Sequence, residues 1–222
     1  MSIILKHSVK PNHNKEEILD SLKKYFYHNN TFQAIKDFSS EENQLLFDFC
    51  EYCELFHDED TALPDGIFQI KDKQIIVEHF KIDASKRTRE GSRFNKIYAF
   101  FPEIKDYTVF NFKQENLVTN FVDSCNRHYS QFQRYKNAIN IKLGSDANNM
   151  PIWFFVEDVT PYGSDFTIDD MSENFRVLLN CLNPINCVDY LFYFMMINGQ
   201  PKRFVVSKRQ IKLYNEQNIS SV

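Results

Sequence analysis

Two acidic residues set at apolar strand-like runs are the positions of this chain whose types and spacing point to chemistry. Asp65 stands between Pro64 and Gly66 at the mouth of Ile67-Phe68-Gln69-Ile70, and Glu78 interrupts the apolar centre of the run from Gln74 to Ile82. Both runs are rich in β-branched and aromatic residues, and the polar Lys71-Asp72-Lys73 between them suits a hairpin loop, so two antiparallel strands are predicted. The start of one strand then lies beside the far half of the other, which brings Asp65 and Glu78 together. Two carboxylates at close range repel each other unless a cation or a shared proton sits between them, and a divalent metal is the economical resolution. Alternation places Ile76, Glu78, Phe80 and Ile82 on one face of the second strand and Ile75, Val77, His79, Lys81 and Asp83 on the other. A lone carboxylate among apolar neighbours carries a heavy desolvation cost, so Glu78 requires a cation, an arginine or a hydrogen-bond network.

Basic and polar residues follow at a distance that suits a phosphate backbone. Lys86, Arg87, Arg89, Arg93 and Lys96 make the densest basic segment of the chain, directly after the second strand. Such a segment would neutralise phosphates, whereas a merely solvated loop is its plainer reading. Further on, Gln131 and Tyr135 are four residues apart on a predicted helix and share a face, so an amide and a phenol would reach sugar, phosphate or base together, whereas a Tyr135 that simply covers the core with its hydroxyl at the surface is the plainer reading. Glu51 and Glu54 precede the hairpin and His57-Asp58-Glu59-Asp60 forms an acidic cluster; solvated surface is the simpler account of each. Cys50 and Cys53 have redox or zinc spacing, but no second Cys or His pair completes a structural zinc site, so they read as buried thiols.

These residues carry a family resemblance. Pro64-Asp65, then Glu78 with Lys81 close behind, resembles the core of the PD-(D/E)XK nuclease superfamily, the restriction-endonuclease-like fold. Gln131-Phe132-Gln133-Arg134-Tyr135 is similar to the Q-x-x-x-Y helix that follows this core in the helicase-nuclease branch. The resemblance spans about residues 40 to 160. It implies Asp65 and Glu78 as ligands of Mg²⁺ or Mn²⁺ and Lys81 as the group that orients or deprotonates water. It further implies nucleic acid, DNA before RNA, held by the basic segment and by Gln131 and Tyr135. One departure stands out. The pattern places lysine two positions after the acid, where this chain has Phe80, and Lys81 comes one residue later. A β-bulge near Phe80 would return Lys81 to the face of Glu78; otherwise Lys86 or Lys96 would have to supply the ammonium.

The elements that must position these groups are legible in the hydrophobic pattern. An amphipathic helix is predicted over residues 15 to 26, a short second helix from Thr31 to Asp37, and a third opened by a Ser39/Glu42 capping box and continuing through Leu45, Leu46, Phe49, Cys53 and Phe56. Tyr107 to Phe112 reads as a strand, and a long helix runs from Glu115 to about Asn140, with a break near Ser130. The near-continuous apolar run Ile152 to Val156 fits a strand buried on both faces. Phe175 to Leu182 reads as helix, and Val188 to Ile197 and Arg203 to Ser207 read as strands.

Together these predict one α/β (α+β-like) domain over residues 1–222, with a mixed central β-sheet flanked by helices: a helical part to about 57, a restriction-endonuclease-like core over about 63–160, and a C-terminal helix and strands that extend the sheet. The 222 residues suffice for a sizeable core, and 22 Phe with 11 Tyr against 5 Gly point to a bulky aromatic one. Net charge is -4, so no global basic field advertises nucleic acid and a local patch has to serve. The apolar run at Met1 to His7 is too short for a signal sequence, no stretch reaches membrane-span length, and five Cys are an odd number, which together predict a cytoplasmic chain with reduced thiols, away from membranes and compatible with a homodimer. The predicted function is metal-dependent phosphodiester hydrolysis. Its rivals are an inactive nucleic-acid-binding or interaction module on the same fold, and a small-molecule acid/base or metal site built from Asp65, Glu78 and His79.

Overall fold

The computed structural model describes residues 33–34, 38–57, 64–84, 114–144, 146–160, 162, 167–182, 188–197 and 200–219. The predicted helix at 15–26, the predicted strand at 107–112 and the basic segment from Lys86 to Lys96 lie outside them.

The centre is a buried parallel pair. β4 (Lys73–Ile82) and β5 (Ile152–Asp158) run side by side, with Glu78 opposite Phe154, and β6 (Tyr190–Ile197) lies parallel on the other side of β5. β3 (Gly66–Ile70) pairs antiparallel with β4, and β2 (Cys53–His57) antiparallel with β3. β7 (Gln200–Ser207) returns antiparallel along β6, and the two-residue β1 (Gln33–Ala34) lies parallel on its outer edge. The spatial order β1-β7-β6-β5-β4-β3-β2 is thus a mixed sheet. Gln33 and Ala34 are strand where a short helix was predicted.

Period-2 alternation divides the sheet's side chains between two apolar layers. Ile76, Phe80, Phe154, Val156, Leu191 and Tyr193 face one way, onto α2 (Gln114–Tyr129), α3 (Phe132–Leu143), α4 (Ile168–Asn180) and α5 (Lys208–Ile219). Ile75, Val77, Trp153, Phe155 and Phe192 face the other way, with Leu46 and Phe49 of α1 (Ser40–Tyr52) packed on them. Helices therefore cover both faces, as two-sided burial of the central strands requires. β5 is apolar from Ile152 to Val156 because neither of its faces meets water.

Local chemistry sets the element ends. Ser39 and Glu42 form the predicted capping box. α1 nevertheless stops at Tyr52, and Cys53 to His57, expected to continue the helix through Phe56, are strand. α4 opens well before the predicted Phe175, because Thr167 and Asp170 make a second capping box. The β3–β4 hairpin turns on Lys71 and Asp72, since Lys73 already pairs with Ile70. Lys71 takes the left-handed region at φ 55°, and its ammonium bonds Asp48 Oδ1 at 2.7 Å.

Candidate functional site

The hairpin register decides which side chains meet. Gly66 opposes Val77 as the last paired position of β3, so Asp65 and Glu78 stand one step further on, facing each other on the α2–α3 side of the sheet. Gly66 has a packing reason here, because a Cβ on it would come within 3.0 Å of the Phe68 ring. Beyond that point Pro64 has no N–H to offer a ladder. The Asp65 side chain turns back instead, and its Oδ2 accepts from the His79 backbone N–H at 2.8 Å. The Asp65 N–H points at Glu78 Oε1, 3.4 Å away. The two acidic residues that sequence spacing brings together are therefore adjacent.

Glu78 is buried to 1% exposure within the apolar layer. Its other oxygen, Oε2, meets His128 Nδ1 at 2.7 Å. His128 lies in the last turn of α2 beside Arg127, where the negative end of the helix dipole favours basic side chains. Its ring lies flat on Phe80, with centroids 4.5 Å apart and planes 12° from parallel, and meets Phe154 edge-on at 6.5 Å. Burial pushes the Glu78 carboxyl above the ordinary range, the hydrogen bond to His128 pulls it back, and the charge of Asp65 raises it again. Tyr135 of α3 completes the cluster. Burial first, then the neighbouring charges of Glu78 and Asp65, push its phenol up to about 12, so the hydroxyl keeps its proton at neutral pH.

Lys81 does not join this group. The β4–β5 register runs without a break from Ile76 to Ile82, so no bulge turns the chain near Phe80, and Lys81 keeps to the face opposite Glu78. There its ammonium bonds Glu157 Oε2 at 3.1 Å, and His79 Nε2 reaches the same oxygen at 3.4 Å. Although burial alone would raise the Glu157 carboxyl, His79 and Lys81 together hold it below its ordinary range. Gln131 and Tyr135 also part company: Tyr135 is buried toward Glu78, while the Gln131 amide donates to Ser130 Oγ at 3.4 Å. Glu51 and Glu54 are exposed. Cys50 and Cys53 are free thiols, and burial raises the Cys50 pKa to about 11, away from reactivity.

His128 is the member of the cluster that sequence spacing did not single out. Its signal was available. Leu117, Phe121, Cys125, His128, Phe132 and Tyr135 form one apolar stripe through α2 and α3, and an imidazole on that stripe matches a carboxylate on the apolar face of β4.

The donor set bears on which ions fit. Among the described residues no three His, Cys, Asp or Glu side chains are grouped so as to hold a metal ion. Asp65 and Glu78 are neighbouring residues with hard oxygen donors, and Mg²⁺ characteristically takes one or two carboxylates and completes its shell with water and substrate phosphate. The charge of Asp65 raises the Glu78 carboxyl, an effect that a cation relieves. Two carboxylates are of the ligand type that Mg²⁺ or Mn²⁺ takes.

No protein-family model matches the chain, and neither the curated proteins nor the solved structures contain a match to it.

Proposed function

We propose that the protein is a divergent metal-dependent nuclease of PD-(D/E)XK type, acting on nucleic acid with DNA ahead of RNA. The observation that carries this reading is the meeting of Asp65 and Glu78 at the open end of the β3–β4 ladder, thirteen residues apart in sequence and one N–H···O contact apart in space. Perturbed carboxyls cluster at working sites more than elsewhere, and Glu78 is raised both by burial and by a like charge.

Each residue has a part that follows from its contacts. Asp65 and Glu78 would hold the ion, with Glu78 Oε1 the oxygen nearer to Asp65. His128 holds the opposite Glu78 oxygen and fixes the carboxyl rotamer, while Phe80 supports the imidazole from below. The Tyr135 hydroxyl stays protonated beside the same carboxyl and serves as a donor. His128, not Lys81, is the basic side chain beside the acid. A bound Mg²⁺ or Mn²⁺ would supply charge neutralisation at the scissile phosphate and a more acidic water.

The test is cleavage of plasmid DNA, single-stranded DNA and RNA with Mg²⁺ or Mn²⁺. The wild type should cut at least one of them, and Asp65→Asn and Glu78→Gln should each lose about a hundredfold or more in rate. A second reading, nucleic-acid binding without turnover, draws on one observation: Glu157 keeps the Lys81 ammonium on the far face. Retained binding with no cleavage under any metal would decide for it.

A further inference from the structure

A cleft of about 560 Å³ opens beside the candidate site, between α3 and the ends of the sheet where β5 and β6 begin. Its volume is that of a ligand site rather than a packing defect. One end is formed by Tyr129 and Ser130, immediately after His128, so the cleft starts at the residue next to the Glu78 partner. Its lining also includes Ile152, which pairs with Ile76 two residues before Glu78, about 7 Å along the strand. The cleft therefore opens next to the His128 side of the cluster, while Glu78 itself is buried and neither carboxylate lines it.

The lining combines three kinds of group. Tyr129 is 43% exposed and supplies an aromatic ring. Lys136 and Lys208 supply positive charge. Gln133, Asn148 and Asn149 supply amides that donate and accept alike. The single carboxylate in the lining, Asp189, is turned to the protein, where its Oδ2 accepts from the Ile152 N–H at 2.8 Å. Lys136 bonds the Asn148 carbonyl at 2.8 Å and so ties the loop wall to α3.

We propose that this cleft holds a single-stranded nucleic acid segment, with a base on Tyr129 and phosphates toward Lys136 and Lys208, on the His128 side of the Asp65–Glu78 pair. The assignment rests on the nuclease reading and adds the form of the substrate. An aromatic ring, cations along the walls and amides without a fixed donor pattern are the means by which proteins hold single strands with little sequence preference. In a duplex the base faces are hidden in the stack, and Tyr129 has nothing to stack on.

The test is fluorescence anisotropy of a labelled oligothymidylate and of a matched duplex, with Ca²⁺ in place of Mg²⁺ to prevent turnover, on the full chain. The wild type should bind the single strand more tightly. Tyr129→Ala should weaken it about tenfold and Tyr129→Phe should restore it. Lys208→Gln should reduce the slope of log affinity against log salt by about 0.7. Thermal melts and Mn²⁺ titration of the variants should match the wild type, which separates lost binding from lost folding. Unchanged single-strand binding in both Tyr129→Ala and Lys208→Gln would overturn the cleft assignment while leaving metal-dependent cleavage in place. A preference for duplex would overturn it equally. Absence of both cleavage and Mn²⁺ binding in the wild type would remove the nuclease reading and this assignment with it.

Discussion

Glu78 carries opposing demands at a single side chain. It is nearly fully buried, it faces Asp65, and His128 and Tyr135 orient it. Its carboxyl pKa in the folded state lies above the ordinary 4.5, chiefly through burial. A carboxyl raised on folding contributes stability that is fully present below the unfolded value and is lost as pH rises through the folded one. Glu78→Gln removes that loss and keeps the shape, so thermal melts at neutral pH should show a rise of about 2–4 °C, with the gap closing as pH falls toward 4.5. At this scale the sequence was readable where a rule of spacing applied. Asp65 and Glu78 met because a short hairpin loop fixes register. The need of Glu78 for a cation, an arginine or a hydrogen-bond network was also evident, but the apolar pattern does not name its partner. Imidazole was overlooked because His128 sits fifty residues away, on a helix whose rotation only packing determines.

Elements show where a pattern admits two answers. Leu45, Leu46, Phe49, Cys53 and Phe56 keep helical spacing, yet the chain changes to strand at Cys53, where pairing with Ile70 outweighs another helical turn. The α5 helix carries only a weak apolar stripe and escaped notice. The bulge that would have brought Lys81 to the face of Glu78 is absent because β4 pairs with β5 without a break from Ile76 to Ile82. α1 is fastened to its face of the sheet by Phe49, whose ring meets the Trp153 indole edge-on at 5.2 Å. Phe49→Ala should therefore cost about 3–5 kcal/mol in urea unfolding. It should also red-shift the emission of Trp153, the one tryptophan of the chain. A polar clamp acts beside it. Burial raises the Glu42 carboxyl, but Arg209, Ser207 and the Ser39 N–H together bring it below 4.5, with Arg209 at 2.6 Å. That contribution is present above the unfolded value and is lost as pH falls through the folded one. Glu42→Ala should lose about 1–2 kcal/mol at neutral pH, and the difference from wild type should shrink below pH 4.5 in acid titrations of stability.

The whole molecule is a mixed α/β sheet covered by helices on both faces, and among its described residues no helix is long and apolar enough to cross a membrane. That architecture was legible because two-sided burial leaves a strong mark, as the run Ile152 to Val156 does. The side-chain cluster was legible only in part, since a group drawn from β3, β4, α2 and α3 depends on how separate elements pack. With a net charge of -4, any grip on a polyanion has to be local, so the proposed cleavage should slow steeply with added salt even though the molecule as a whole is acidic. Rates on a fixed substrate across a salt series would check this.

The central claim is that Asp65 and Glu78 together hold a divalent cation, and calorimetric titration of Mn²⁺ into the wild type and Glu78→Gln tests it most directly, with and without a short oligonucleotide. The account predicts one site in the wild type, tighter with the oligonucleotide present and lost in Glu78→Gln. Equal heats from the two proteins under both conditions would contradict it and leave Glu78, His128 and Tyr135 as a buried polar network that holds the fold.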